Sequence, residues 1–412
     1  FILALCTIAV AETVGLWFVN NKLVLPVERI HAARWLYQLS VFSFVCTMIT
    51  SPFMAAIIAH EDMDIYAYVS ILEAGLKLGI AFLLPLFAED KLIFYGLLLA
   101  LAVVITTTVY RTICRRKYEE CRTKFYWDRN LFCELLSYTG WNVFGASVGI
   151  FKSQAVNILL NQYFNPIVVA ARAIASQVNS AVNSFAQGFS TAVRPQIIKN
   201  YAAGDINGMT FLVYRSCKAT FFLMYVFALP LIIEMQYVLT LWLKNPPNYA
   251  VIFTQLTLFD VVIDSVNYPL MTTAQATGKI KLYQGVVGGI LLLNLPLSFM
   301  ALANGFGPTS VFIVAILLTF VAFMVRLLVL KRLVLFSVLK FLEQVFVPLV
   351  VVAIISALLP MYVHNLMAVG FIRLILVCVT SVCSVGFFAF FVALSKPEKQ
   401  YIRTILRSKI GK

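Results

Sequence analysis

Long apolar stretches, separated by short polar breaks, run along almost the whole chain. Twelve of them approach or exceed the length of about 20 residues that an α-helix needs to cross the hydrocarbon core of a bilayer. Prolines inside or at the edges of these stretches predict kinks in the helices, at Pro52, Pro85, Pro230, Pro269, Pro296 and Pro348. The pattern predicts about twelve transmembrane helices, at residues 1–18, 35–58, 65–87, 92–110, 132–160, 166–193, 211–230, 249–272, 283–303, 309–330, 341–360 and 368–394.

The amino-acid composition excludes a water-soluble globular protein. Of the 412 residues, 61% are hydrophobic and 12% are charged, whereas a soluble domain contains about 25% charged residues. So much apolar surface needs the bilayer as its solvent, and we therefore expect an all-α polytopic membrane protein. We expect no nucleic-acid partner, because no soluble domain is left to carry a basic face.

The basic residues predict the orientation of the chain in the membrane. The net charge is +14, and alternate connections between spans hold about four times as many Lys and Arg residues as the opposite ones do. The chain begins with Phe1, inside an apolar run and without an initiating Met. We therefore expect Phe1 to be an interior residue of a longer protein. Because cytoplasmic loops carry the excess of basic residues, we place on the cytoplasmic side of the membrane residues 59–64, 111–131, 194–210, 273–282, 331–340 and the tail 395–412.

Sequence motifs of enzymes are missing from the chain. It has no Walker loop, no HExxH and no GxSxG, its eight Cys are scattered, and its three His lie far apart. We therefore expect neither catalysis, nor a metal site, nor a disulfide framework, nor a bound cofactor. Transport by such a chain would use the substrate gradient or an ion gradient, with H⁺ and Na⁺ as the candidate coupling ions.

Charged residues inside predicted spans are the strongest candidates for function, because charges are costly in a bilayer and usually face the bundle interior or a wet cavity. Glu73 and Lys77 are four residues apart and form either a self-neutralising pair or one wall of a polar cavity. Gly75 and Gly79 on the same span have the spacing that permits close helix approach. Glu12 and Arg373 stand alone and are interpreted as structural, with Arg373 extending to the membrane surface.

The spans at 132–160 and 166–193 are unusually polar for membrane helices. Interhelical hydrogen bonding is one interpretation of their amides. A water-filled cationic cavity is the other, and it would suit a phosphate or pyrophosphate, which Arg binds by its planar fork and Lys as a point charge. The candidate cavity residues are Lys152, Arg172, Gln154, Asn157, Gln177, Asn179, Asn183 and Gln187.

Two carboxylates lie on the span at 249–272. Asp260 and Asp264 are four residues apart, a spacing at which like charges repel. They would either share a proton or bind a cation, as gradient coupling requires, or each would find its own cationic partner or lie near the outer membrane interface.

Three segments resemble one family of membrane transporters: GWNVFGASVGIFKSQAVNILLNQYFNPIVVAARAIASQVNSAVNSF (140–185), RPQIIKNYAAGD (194–205) and AQATGKIKLYQ (274–284). They are similar to bacterial Wzx-type polysaccharide flippases, which carry O-antigen or capsule repeat units and are MATE-like members of the MOP superfamily. Within that family they resemble the members from Bacteroidota. The resemblance implies a two-lobed bundle of fourteen spans, two of which would precede Phe1. It divides this chain into the remainder of the N-lobe (1–111), a basic linker (112–131), the C-lobe (132–330), two extra helices (331–394) and a basic tail (395–412).

The resemblance also implies a function. The family moves undecaprenyl-pyrophosphate-linked oligosaccharides across the inner membrane by alternating access, for surface polysaccharide (lipopolysaccharide O-antigen or capsule) biosynthesis. Its expected partners are that substrate, membrane lipids, and the polysaccharide polymerase and glycosyltransferases of the same pathway. Two alternatives stay open: a MATE-type cation-coupled multidrug exporter, and a membrane polymerase or acyltransferase of the same pathway.

Overall fold

The computed structural model describes residues 2–17, 30–86, 91–122, 128–164, 166–334, 336–394 and 398–399. These residues are helical almost throughout, and no strand occurs among them. The α-helices are α1 (Ile2–Val10), α2 (Ile30–Ala59), α3 (Met63–Leu83), α4 (Lys91–Lys117), α5 (Arg129–Tyr163), α6 (Pro166–Ala202), α7 (Ile206–Leu243), α8 (Ala250–Ser265), α9 (Asn267–Ala276), α10 (Ile280–Leu292), α11 (Asn294–Ala303), α12 (Ser310–Val334), α13 (Val338–Phe341), α14 (Val347–Leu366) and α15 (Phe371–Phe388).

The described helices include nine segments that are long and apolar enough to cross a membrane. The prediction of a polytopic all-helical membrane protein is therefore confirmed. The other three predicted spans fall on α1, α5 and α6. The nine segments are Arg34–Ala59, Met63–Leu83, Lys91–Lys117, Ile206–Leu243, Ala250–Ala276, Ile280–Ala303, Ser310–Val334, Val338–Leu366 and Phe371–Ala393.

Two of the nine segments are interrupted beside a proline. Pro269 and Pro296 have no N–H to donate to the carbonyl four residues earlier. The helix is interrupted just after that carbonyl in each case, at Val266 between α8 and α9 and at Leu293 between α10 and α11. Val266 and Leu293 nevertheless keep helical backbone angles, so each segment changes direction without forming a loop.

The contacts divide the chain into two compact units, residues 1–127 and residues 128–412. In the first unit α2 packs along α4, and Gly96 on α4 lies against α2: a Cβ added there would come 2.7 Å from Leu36 Cδ1 and 3.2 Å from Leu39 Cδ1. The close approach predicted at Gly75 and Gly79 is wrong for the described residues, because a Cβ at either glycine would meet nothing within 4 Å.

A polar cluster closes one end of the first unit. The Asp62 carboxylate, between α2 and α3, binds Lys117 Nζ at 2.7 Å and accepts a hydrogen bond from the Tyr118 hydroxyl. These two hydrogen bonds, that from Lys117 first, lower the pKa of Asp62. His60 stacks on the Tyr118 ring with 4.3 Å between centroids, and it contacts the Glu120 carboxylate. The cluster ties the α2–α3 connection to the end of α4.

The second unit is built around α7. Met209, Val213, Cys217, Met224 and Ala228 on this helix are completely buried, at spacings of four or seven residues that keep them on the packed faces. Helices α6, α8, α14 and α15 pack against α7. Because α7 is enclosed, a polar side chain on it has to find a partner inside the protein.

Candidate functional site

A polar stripe follows one side of α6 in the second unit. Arg172, Ser176, Asn179, Asn183 and Gln187, called the α6 stripe below, are spaced three or four residues apart and so share one side of the helix. The buried positions Ala171, Ala175, Val182 and Ala186 lie on the adjacent side and belong to the apolar core of the unit. The α6 stripe is thus presented next to the core.

One end of the α6 stripe lines a cavity of about 170 Å³, called the Arg172 cavity below. Three of the predicted residues meet there: Arg172 and Asn179 from α6, and Asp260 from α8. The Arg172 guanidinium also lies over the Phe312 ring, 5.7 Å from its centroid, where a cation is attracted by the negative face of the ring. The polar lining is Arg172, Ser176, Asn179, Thr257, Asp260 and Asn294.

Asn294 is a member of this site that the sequence analysis missed. It is fully buried at the start of α11, and neither its Oδ1 nor its Nδ2 has a hydrogen-bond partner among the described residues. Buried amides normally have hydrogen-bond partners. The Asn294 amide can therefore hydrogen-bond with polar groups that enter the cavity. The signal in the sequence is an Asn two residues before a proline inside a span, at Asn294 and Pro296.

A second polar layer lies one turn further along α8. Asp264 binds Arg326 Nη1 of α12 at 3.3 Å and accepts a hydrogen bond from Asn267 Nδ2 at 2.8 Å. Asp264 therefore has a cationic partner of its own, which was one of the two interpretations of the aspartate pair. Arg326 is also a residue that the sequence analysis did not single out, although its charge lies inside the apolar span at 309–330.

The middle of the α6 stripe is hydrogen-bonded to α9. The Tyr268 hydroxyl donates to Asn183 Oδ1 at 2.7 Å, whereas Gln187 is exposed. At the far end of α6, Arg194 donates to Gln275 Oε1, and Gln275 Nε2 donates to Asn142 Oδ1 of α5 at 3.2 Å. Polar contacts therefore recur along α6 from Arg172 to Arg194.

None of the other predicted residues whose side chains are described lines the Arg172 cavity. On α5, Asn157 Nδ2 donates to Gln154 Oε1 at 3.3 Å, and Gln177 on α6 is exposed. Lys152 is on α5, but its side chain is outside the described residues. In the first unit, Lys77 Nζ lies 2.6 Å from Glu73 Oε1 on the surface of α3, as an i,i+4 ion pair.

A third charged group joins α7 to the last two helices. The Glu234 carboxylate is fully buried, with Arg373 Nη2 of α15 and His364 Nδ1 of α14 each at 2.7 Å. The interpretation of Arg373 as a side chain that extends to the membrane surface is wrong, because the guanidinium is buried against a carboxylate. The sequence analysis missed Glu234, which lies four residues beyond the predicted span at 211–230.

Comparisons with known proteins give a similar fold for the chain and a family match for one segment. By sequence, no curated protein matches the chain. Among solved structures the chain resembles the lipid II flippase MurJ in its inward closed conformation, with a TM-score of 0.61 and 11% identity over 98% of this chain and 82% of that one. The model of the MatE family matches residues 147–300, which include all six polar residues of the Arg172 cavity. The protein is therefore a multi-pass membrane protein with a MurJ-like fold that carries its candidate site in a MatE-like segment.

Proposed function

We propose that the chain is a flippase that moves an undecaprenyl-pyrophosphate-linked oligosaccharide across the bacterial inner membrane for surface polysaccharide biosynthesis, with its C-terminus in the cytoplasm. The observation that carries the proposal is the Arg172 cavity, a polar space with a guanidinium inside an otherwise apolar bundle. The similar fold of MurJ, a lipid II flippase, supports a lipid-linked cargo.

The chemistry of the proposed site follows from its residues. Arg172 binds the pyrophosphate through its planar fork of N–H donors. Asn179, Ser176 and Asn294 offer the amide and hydroxyl groups that hydrogen-bond with sugar hydroxyls or phosphate oxygens. The lipid tail stays in the bilayer while the polar head crosses by alternating access.

The alternative function, export of cationic drugs, is less well supported. Such a cavity should carry net negative charge. Here Asp260 shares its cavity with Arg172, and Asp264 is bound to Arg326, so each carboxylate has a cation nearby.

The decisive experiment measures flipping in proteoliposomes. A fluorescent polyprenyl-pyrophosphate-linked sugar is loaded into vesicles, and its transfer between leaflets is followed by chemical quenching of the outer leaflet. Arg172→Gln should reduce the initial rate at least tenfold, and Arg172→Lys should retain part of it because the charge remains. The matched control is Arg332→Gln, which removes an exposed Arg at the end of α12. Wild-type rates in Arg172→Gln would refute the proposed role.

Asp260 is the proposed coupling residue. Protonation or cation binding at this carboxylate would change its attraction for Arg172 and so release the guanidinium to the substrate. In the same vesicles, Asp260→Asn should flip the substrate at a rate that no longer responds to an imposed H⁺ or Na⁺ gradient. An unchanged response to both gradients would remove Asp260 from the coupling step.

A further inference from the structure

A second polar cavity lies in the same unit, away from the Arg172 cavity. It has a volume of about 570 Å³, within the range of about 300–1,000 Å³ that is usual for small-molecule sites. We call it the Trp141 cavity. It is formed by the first three turns of α5 and by the turn that precedes α10, and its lining includes Glu134, Ser137, Tyr138, Trp141, Lys279 and Lys281.

The α5 wall of the Trp141 cavity is a single helix face. Glu134, Ser137 or Tyr138, and Trp141 follow one another at three- or four-residue spacing, so their side chains lie one above another. They present a carboxylate, a hydroxyl and two aromatic rings. A surface that only has to face lipid would not need this combination of groups.

The opposite wall is cationic. Gly278, with φ +70, allows the tight turn between α9 and α10 that places Lys279 and Lys281 on the cavity. The Lys281 ammonium lies over the Trp141 ring, 5.6 Å from its centroid. The cation therefore contacts the face of an aromatic ring at this position.

The charged groups of this cavity form no ion pair with any described residue. In the described part of the chain, no ion pair within 4.0 Å is found for Glu134, Lys279 or Lys281, and all three residues are exposed. The cavity thus offers two cations and one carboxylate to whatever enters it.

This combination discriminates between ligand classes. A bare phosphate would be attracted by the two lysines but repelled by Glu134. A sugar phosphate uses every group: its phosphate binds the lysines, its hydroxyls donate to Glu134, and the C–H face of its ring packs on the negative face of Trp141.

The position of the cavity fits an entry point. Lys279 comes four residues after Gln275, which binds Arg194, and Trp141 precedes Asn142, which binds Gln275. The Trp141 cavity therefore lies near Arg194, about 33 Å along α6 from Arg172 at 1.5 Å per residue. The distribution of basic residues predicts that this end faces the cytoplasm.

We propose that the Trp141 cavity is a cytoplasmic-side binding site for the sugar-phosphate head of the lipid-linked substrate, occupied before that head reaches Arg172. The proposal rests on the proposed function for the identity of the substrate. The binding event itself is independent of flipping, and so it is tested separately.

The test is a binding titration on the purified protein with N-acetylglucosamine 1-phosphate as the probe, compared with N-acetylglucosamine and inorganic phosphate alone. Trp141→Leu and Lys281→Gln should each weaken binding of the sugar phosphate at least tenfold, and Trp141→Phe should restore most of it because an aromatic ring remains. The controls Trp242→Leu and Lys244→Gln remove the same residue types from the end of α7 and should bind like wild type.

Three outcomes would overturn the proposal. The first is wild-type affinity in both Trp141→Leu and Lys281→Gln, with unfolding temperatures that show both variants to be folded. The second is equal affinity for inorganic phosphate and the sugar phosphate. The third is displacement of the bound sugar phosphate by phosphatidylglycerol vesicles as effectively as by unlabelled sugar phosphate. That result would assign the cavity to bulk lipid headgroups.

The flipping assay separates this proposal from the proposed function. Flipping by the wild type, together with unaltered probe binding in the Trp141 and Lys281 variants, would refute the entry site and leave the flippase intact. Probe binding that depends on Trp141 and Lys281, in a wild type that flips nothing, would refute the flippase and leave the sugar-phosphate site.

Discussion

Arg373 Nη2 donates a 2.7 Å hydrogen bond to Glu234 Oε2 across 139 residues of sequence, and both side chains are buried. The backbone of α7 leaves helical geometry at Glu234, with φ −100 and ψ 16, four residues after Pro230. The carboxylate is therefore held at a kink of the central helix, where α14 and α15 supply its partners.

Removing Arg373 should destabilise the protein strongly. Arg373→Met leaves the Glu234 carboxylate buried without its main counter-charge, and breaking a buried ion pair from one side costs about 3–5 kcal/mol. Unfolding in mixed micelles measures this loss. Arg332→Met, which removes an exposed Arg, should cost less than about 1 kcal/mol. The double variant Glu234→Gln with Arg373→Met should recover part of the loss, and an equally large loss in the double variant would contradict the pairing.

The ion pair between Asp264 and Arg326 should respond asymmetrically to substitution. The Arg326 side chain is 11% exposed and the Asp264 side chain is 48% exposed. Asp264→Asn therefore leaves a buried cation, whereas Arg326→Met leaves a carboxylate that water can reach and puts an apolar chain in the core. We expect Asp264→Asn to lower the free energy of unfolding by at least about 2 kcal/mol more than Arg326→Met does. Equal losses would show that Arg326 is not buried in the folded protein.

The Asp62 cluster should give the first unit a pH-dependent stability. Hydrogen bonds from Lys117 and Tyr118 lower the pKa of Asp62 in the folded state, so their stabilisation is present above the unfolded value of about 3.9 and disappears as the pH falls through the folded value. Asp62→Asn should unfold at a lower temperature than wild type at pH 7, and the difference should shrink below about pH 4. Asp64→Asn, in the first turn of α3, is the control for loss of charge. A difference that stays constant down to pH 3 would contradict the assignment.

Helix packing in the first unit should depend on Gly96 and not on Gly79. Gly96→Leu forces a side chain against Leu36 and Leu39, and overpacking of this kind costs about 1–3 kcal/mol or more. Gly79→Leu meets nothing within 4 Å and should change stability by less than about 1 kcal/mol. The comparison uses the same substitution in two helices of one unit, and a larger loss at Gly79 would indicate that α3 packs on a surface outside the described residues.

The sequence predicted the helices well because a bilayer imposes long apolar runs, and such runs are visible without knowledge of packing. It also predicted the polar side of α6, since Arg172, Asn179 and Asn183 recur with the helical period. It did not predict partners. The charge of Arg326 is visible in its span, but its pairing with Asp264 depends on α8 packing against α12, which the period of one helix does not encode.

Glu234 was missed for a different reason. Pro230 marks the edge of a predicted span, so the carboxylate four residues later falls in a predicted connection. The structure instead continues α7 to Leu243, because a proline inside a packed membrane helix bends it without ending it.

The two buried charges of α7 also constrain the order in which the protein folds during its synthesis. Glu234 has its counter-charge on Arg373, and Lys218 has its own on Glu398, 3.2 Å from Nζ. The partners follow 139 and 180 residues later in the chain. At about 5–20 residues per second, the ribosome supplies each partner some 7–36 seconds after the α7 charge with which it pairs. During that interval each α7 charge lacks its counter-charge, so the packing around α7 is completed only after Arg373 and Glu398 have been made.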